Sequence, residues 1–186
     1  MTTFPHRLMG ASVLDVDTYE EVEADRSATA QALLVVLASS LAGGIGSAGF
    51  TGTGAPLAGG VFFWSAVSLL SWAAWALLVF EIGGRLLPEP ETRVDVGELL
   101  RTIGFSSAPG MLRVFGIVPV LAVPVFALTT LWMLVAMIVA VRQALDYRST
   151  ARAVWVCVLG LAFAVIVAFV FGAFLGPTVS TLVLGS

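Results

Sequence analysis

Long apolar runs alternate with short polar segments along the whole chain. Four runs, 28–50, 60–83, 114–141 and 153–175, contain almost no charged residue. A transmembrane helix needs roughly 20 predominantly apolar residues, so each run is long enough to cross a bilayer. The pattern predicts an all-α, polytopic integral membrane protein. The polar, acid-rich residues 1–27 form an N-terminal segment ahead of a membrane domain at 28–186.

The run 114–141 can be read either as one tilted helix or as a tight hairpin. The arginines decide between the two, because basic residues concentrate in short cytoplasmic loops. A hairpin gives five spans and keeps every arginine on one side, at positions 7, 26, 85, 93, 101, 113, 142, 148 and 152. The sequence therefore predicts five transmembrane helices in the cytoplasmic membrane, with the N-terminus in the cytoplasm and the C-terminus outside.

Three prolines interrupt the apolar stretch 104–124. Pro109 suits the first turn of a helix, where its missing N–H group costs no hydrogen bond. Pro119 and Pro124 are expected to flank an extracytoplasmic turn between spans 3 and 4, because proline breaks regular helices. A discontinuous transporter helix is the alternative interpretation of these two prolines.

The first arm of this hairpin, 107–118, is short and contains Arg113. About twelve residues at 1.5 Å each give roughly 18 Å, which is less than a ~30 Å hydrocarbon core. Either the helix starts earlier, near Gly104, or the tip stops inside the bundle. A charge at depth is costly, so Arg113 is expected to extend to the cytoplasmic face.

Two polar segments carry signals for short cytoplasmic helices. The sequence TYEE at 18–21 fits a capping box and predicts a helix over 14–25. In the second segment, 92–103, Thr92 with Asp95 resembles an N-cap, and one helical face contains Val96, Leu99, Leu100 and Ile103. The polar side chains point elsewhere, namely those of Arg93, Glu98, Arg101 and Thr102. The segment is predicted to be an amphipathic helix on the membrane surface, with a plain linker as the alternative.

Composition narrows the function further. The chain has 186 residues, of which 59% are hydrophobic and 11% charged, whereas about 25% are charged in ordinary soluble domains. A net charge of −3 does not favour a nucleic-acid partner. His6 and Cys157 are the only residues of their types, so neither a cofactor nor a metal is expected.

The first apolar run follows an acidic segment, unlike a cleavable signal peptide. Arginine without lysine or asparagine suggests a GC-rich prokaryotic genome.

Two segments resemble motifs of binding or catalytic sites, but the neighbouring residues that such sites require are absent. Residues 44–49 match GxGxxG, but they end an apolar run and lack the acid that binds a ribose. The small residues from Ser39 to Gly49 instead predict close packing of span 1, with Gly43 and Gly46 against span 2. Glu20, Glu21 and Arg26 resemble the EExxxR motif of intramembrane proteases, but the spacing is one residue too long and the histidines are missing.

Glu81 is the only acid inside an apolar run. Ionisable residues within a membrane span are candidate functional sites. However, Glu81 lies four residues before Arg85, so a boundary ion pair is the favoured interpretation. Trp64, Trp72 and Trp75 in the same span are interpreted as packing or interface residues rather than a ligand cage.

The segment 99–160 resembles the Yip family of membrane proteins, and 14–36 resembles the start of its prokaryotic members. The shared features are a Gly-aromatic-small-Ala-Pro element at 104–109, a proline-bounded turn, and a small polar loop before the last span. The resemblance implies five spans, a cytoplasmic N-terminus and no known catalytic activity. Eukaryotic relatives contact prenylated Rab GTPases, but the chain lacks their long N-terminal region and its Asp-Leu-Tyr-Gly-Pro motif, so this role is not carried over.

These observations predict a non-enzymatic protein that organises or scaffolds partners at the cytoplasmic membrane. Its partners are expected to be the lipid bilayer and either a membrane protein or further copies of itself. A small transporter or channel is the alternative, with Glu81, Arg113 and the proline turn as its working parts. Proteoliposome flux that vanishes in Glu81→Gln would favour that alternative.

Overall fold

The computed structural model of the protein describes residues 2–51, 58–88 and 95–163, together with residue 166. These residues form seven α-helices and, within the described ranges, no strand, which confirms the all-α prediction. In chain order the helices are α1 Phe4–Ser12, α2 Val16–Ala24, α3 Ala28–Gly46, α4 Ala58–Val79, α5 Val96–Phe105, α6 Pro119–Ala144 and α7 Thr150–Phe163. Three other helical segments extend or connect them: a 3-10 turn Ser47–Thr51, a π-helix Phe80–Leu86 and a 3-10 helix Ala108–Ile117.

Three of the predicted spans are helices long and apolar enough to cross a membrane. They comprise Ala28–Phe50, Ala58–Leu86 and Pro119–Ala144. The predicted fifth span, 153–175, overlaps the shorter apolar helix α7, and its remaining residues lie almost wholly outside the described part of the chain. The described residues therefore contain three helices that could each span a membrane.

The predicted hairpin exists as a reversal of the chain, but its turn is not where the prolines were expected to place it. The 3-10 helix Ala108–Ile117, which we call the 3-10 arm, is followed by a turn at Val118. The turn brings α6 back against the 3-10 arm. Pro119 is in the first turn of α6, and Pro124 lies inside that helix. The extended backbone of Val118 (φ −78°, ψ 115°) is the conformation that a following proline imposes, so Pro119 starts α6 instead of flanking a loop.

The helix predicted over 14–25 is confirmed as α2, but its start differs from the predicted capping box. The N-cap is Asp15, and Thr18 lies in the first turn, where its hydroxyl donates to Asp15 Oδ2 at 2.6 Å. Helix α1 was not predicted from the sequence, and it begins with Pro5 in its first turn. A nine-residue helix is marginal alone, so α1 depends on packing against α2 and α5.

The helix predicted over 92–103 is also confirmed, as α5, and Thr92 lies outside the described residues. Asp95 is the N-cap, and its Oδ1 accepts a hydrogen bond from Glu98 N at 3.0 Å. Leu99 and Ile103 are buried as expected, and Leu100 is partly exposed. The prediction that Arg101 and Thr102 point away from the packed face is wrong, because both are buried. Helix α5 packs against α2, α3 and α6 rather than presenting a single buried face.

Two hydrophobic clusters hold the bundle together near its polar end. One joins α4, α5, α6 and α7 through residues such as Val79, Leu99, Val141 and Val156. The other joins the N-terminal helices to α3 and α5 through Tyr19, Val35 and Phe105. The N-terminal helices are therefore part of the folded core.

Glycines of α3 allow close packing on two sides. A Cβ on Gly44 would collide with Ser65 Oγ and lie 2.6 Å from Val61 O, both in α4. A Cβ on Gly46 would collide with the backbone carbonyl oxygen of Arg113 in the 3-10 arm. The predicted close packing of span 1 is thus confirmed, but Gly46 approaches the 3-10 arm and not span 2.

Candidate functional site

A buried arginine fixes the N-terminal helices to the membrane bundle. Arg7 of α1 is only 1% exposed. Its guanidinium donates to Glu21 Oε1 at 2.8 Å and to Asp25 Oδ2 at 2.6 Å, and also to Gln31 Oε1 at 3.2 Å. Hydrogen bonds from Thr2 and Arg7 lower the pKa of Glu21 to about 2. This network joins α1, α2 and α3, so it has a structural role.

An acidic recess lies beside this network. It has a volume of about 310 Å³ and is lined by Glu20, Glu23 and Ala24 of α2, Glu98 of α5, and Gln143 and Asp146 at the end of α6. Gln143 Nε2 donates to Glu20 Oε1 at 3.0 Å. We call this set of residues the acidic recess. The sequence did not predict it, because its four carboxylates come from segments far apart in the chain.

Glu23 is the carboxyl most affected by this crowding. Burial, followed by the charges of Asp146, Glu98 and Glu20, raises its pKa to about 7. Arg101 partly opposes the effect, and its guanidinium donates to the backbone carbonyls of Val22 and Glu23. Among the residues that the structure describes, no three potential ligands converge closely enough to hold a metal ion. Because the described residues that line the recess include four carboxylates and no basic side chain, the recess has an excess of negative charge.

Glu81 and Arg85 form an ion pair on the surface of the π-helix. Their side chains are 3.0 Å apart and are 50% and 64% exposed, respectively. On the opposite side of this segment, Tyr147 Oη lies 2.8 Å from Gly83 O and 2.9 Å from Leu87 O, carbonyls at and just after the π-helix. Glu81 is thus paired at the end of a span, and nothing in its surroundings assigns it a chemical role.

Arg113 lies on the 3-10 arm and contacts the middle of α6. Its Nε donates to Thr129 Oγ1 at 3.3 Å, and its Nη2 donates to Thr130 Oγ1 at 2.9 Å. The guanidinium carbon also lies 5.3 Å from the centre of the Phe126 ring. The side chain therefore packs beside the middle of α6, and the expectation that it extends to the cytoplasmic face stays a prediction.

A small polar cavity adjoins Arg113. It has a volume of about 40 Å³, and its polar lining consists of Ser39, Ser40, Ser68, Ser107, Trp72 and Arg113. The Nε1 atom of Trp72 is buried and has no hydrogen-bond partner. Ser39 and Ser68 lie near the middle of α3 and α4. We call this the mid-span cavity. Arg113 was identified from the sequence, whereas the serines and Trp72 were indistinguishable there from packing residues.

The outer surface of the hairpin has a larger, apolar groove of about 560 Å³. It is lined by residues of the 3-10 arm and α6, including Leu112, Phe115, Leu128 and Trp132. Trp132 Nε1 donates to Ser12 O at 2.8 Å, which ties the end of α1 to α6. A groove with almost no polar lining offers no group to orient a substrate, and its surface matches lipid hydrocarbon.

The six candidate positions from the sequence do not form one site. Glu81 and Arg85 lie at the end of the second long span, whereas Arg113 lies at mid-span. Pro109 begins the 3-10 arm, and Pro119 and Pro124 belong to α6. Of the six, Arg113 alone lines the mid-span cavity.

Comparison with known proteins identifies one family. The sequence model of that family, described as the Yip1 domain, matches residues 13–182 of the chain. Among curated proteins and solved structures, none matches the chain with significant similarity. The matched range includes α2, both sides of the acidic recess and the mid-span cavity.

Proposed function

Because the chain belongs to the Yip1 family of membrane proteins, we propose that it organises partner proteins at the cytoplasmic membrane and catalyses no reaction. The acidic recess is the proposed contact surface, and its partner is a basic cytoplasmic segment of another membrane protein. The observation that carries the proposal is the convergence of α2, α5 and the end of α6 on this recess.

Electrostatics supports a basic partner. The four carboxylates repel one another, and this repulsion contributes to the raised pKa of Glu23. An arginine or lysine entering the recess would relieve the repulsion and favour the charged form of every carboxyl. Complementary charge increases the rate and specificity of association. The carboxylate oxygens that line the recess accept hydrogen bonds from a guanidinium or ammonium group.

The proposed orientation places the recess in the cytoplasm. The arginines at the recess end of the bundle include Arg7, Arg101 and Arg142, and basic residues accumulate on the cytoplasmic side. The N-terminus is therefore proposed to be cytoplasmic and the C-terminus extracytoplasmic.

Two variants with the same change in net charge test the proposal. Protein in nanodiscs of zwitterionic lipid is titrated with a short fluorescent oligo-arginine peptide. Glu20→Gln with Asp146→Asn should weaken binding roughly tenfold, whereas the control Asp17→Asn with Glu81→Gln should leave it nearly unchanged. Wild-type affinity should fall with salt. Equal binding by both double variants would contradict the recess as the contact surface.

A cross-linking experiment tests the partner in cells. A photo-reactive residue at Ala24, which lines the recess, should cross-link to a membrane protein with a basic cytoplasmic segment. The cross-link should disappear when Glu20 and Asp146 are neutralised. A cross-linked protein without such a segment would contradict the proposal.

Transport is the second candidate function, and the position of Arg113 at mid-span favours it. Proteoliposomes distinguish the two functions. Flux that requires Arg113 would support a transporter, and absence of flux together with the recess-dependent cross-link would support the organising role. Glu81 is less suited to transport than the sequence suggested, because it is exposed and paired with Arg85.

A further inference from the structure

The mid-span cavity combines a positive charge with several hydrogen-bond donors in the middle of the bundle. We propose that it binds one monovalent anion of halide size, such as chloride, between Arg113, Trp72 and the serine hydroxyls. This inference is independent of the acidic recess and of whether the protein transports anything.

The first argument is the charge of Arg113. Its two hydrogen-bond partners, Thr129 and Thr130, are neutral, and the Phe126 ring contributes only the weak attraction of an aromatic face. In the part of the chain that the structure describes, the ion pairs involve Arg7 and Arg85, and no carboxylate pairs with Arg113. A partly buried guanidinium without a carboxylate partner is stabilised by a counter-ion.

The second argument is the type of group that lines the cavity. The guanidinium of Arg113 and the indole N–H of Trp72 can only donate hydrogen bonds, and serine hydroxyls can rotate to donate. The Trp72 N–H is buried and without an acceptor, so it is available to donate a hydrogen bond to an occupant of the cavity. A cation would be repelled by these donors. Water could accept the indole hydrogen bond, but it would not neutralise Arg113.

The size of the cavity restricts the anion. The cavity volume of about 40 Å³ is small. A single water needs a cavity volume of only ~10–15 Å³. The mid-span cavity accommodates a halide and at most one or two waters, and it excludes a lipid phosphate group.

Halide-dependent thermal stability tests the proposal. The melting temperature of the purified protein in detergent is measured in sodium chloride, sodium bromide or sodium gluconate, at constant sodium concentration. Chloride and bromide should raise the melting temperature saturably by a few degrees, because a ligand that binds only the folded state stabilises it. Gluconate is too large for the cavity and should not. Arg113→Gln should abolish the halide effect, and Arg85→Gln should retain it.

A pair of tryptophan variants tests the cavity without removing the charge. Trp72→Phe keeps the ring and deletes the N–H, and it should weaken the apparent halide affinity several-fold. Trp75→Phe is the matched control, since its Nε1 is also buried and without a partner but Trp75 does not line the cavity. Equal melting in chloride and gluconate would show that water alone fills the cavity. That result, or an equal effect of the two tryptophan variants, would overturn the proposal.

Discussion

Single glycines determine how closely α3 approaches its two neighbours. The sequence marked the small residues from Ser39 to Gly49 as a packing surface but could not assign them to partners. The reason is geometric: Gly44 faces α4, whereas Gly46 and Gly49 face the 3-10 arm. A helix of small residues offers more than one such face, and only the tertiary arrangement decides what each face meets.

Comparison of Gly46→Ala with Gly43→Ala tests this packing. A Cβ on Gly46 would collide with backbone that cannot move independently, and overpacking typically costs about 1–3 kcal/mol. A Cβ on Gly43 would lie 3.5 Å from Ser68 Oγ, an ordinary contact. Gly46→Ala should therefore melt several degrees lower in detergent, and Gly43→Ala should melt at or slightly above the wild-type temperature, because alanine favours helix. Similar melting of the two variants would refute the close approach.

At the scale of elements, hydropathy and length predict the long helices, whereas tertiary contacts decide the short ones. Helix α3 and the second long span match their predicted runs. Helix α1 was missed because its stability comes from Arg7 and its distant partners rather than from local signals. The 3-10 arm was predicted as a short α-helix. At roughly 2 Å per residue a 3-10 helix reaches further than an α-helix of equal length, which compensates for the small number of residues.

The docking of α2 against α5 and α6 should depend on pH through Glu23. Its pKa is about 7 in the fold, whereas the pKa of an ordinary glutamate is 4.5. The folded state therefore binds this proton more tightly, so stability is lost as pH rises from about 4.5 to 7 and the loss persists above 7. The pKa values of Glu21 and Asp25 are lowered to about 2, so their contributions change only at more acidic pH.

Thermal melting from pH 8 to pH 5 checks this prediction. The wild-type melting temperature should rise as pH falls across this range. Glu23→Gln should flatten that dependence and raise the melting temperature at pH 8, while Asp17→Asn, an exposed change in the same helix, should preserve the wild-type profile. A profile in Glu23→Gln as steep as that of the wild type would exclude Glu23 as the source.

At the scale of the whole molecule, the packing along α3 bears on the number of spans. Gly104 of α5 meets Ala32 near the start of α3, and Gly116 of the 3-10 arm meets Gly49 just beyond its end. Helix α5 and the 3-10 arm together therefore run along nearly the full length of α3. The sequence predicted the chain reversal from its arginines, but it could not show that α5 and the 3-10 arm both pack along α3, because that arrangement depends on tertiary contacts.

Cysteine accessibility tests the proposed five-span topology. The turn at Val118 lies beside the end of α3, so the tip of the hairpin should reach the same membrane surface as the end of the first long span, Ala28–Phe50. Ala122 is buried and should not label, whereas Val120 is 79% exposed. In a Cys157→Ser background, Val120→Cys should react with an impermeant thiol reagent from outside. Met9→Cys and Ser149→Cys should react only from the cytoplasm, since both lie at the recess end of the bundle. If Val120→Cys and Met9→Cys label from the same side, the hairpin does not cross the membrane. If Met9→Cys and Ser149→Cys label from opposite sides, the number of crossings between them is odd, which contradicts the five-span topology.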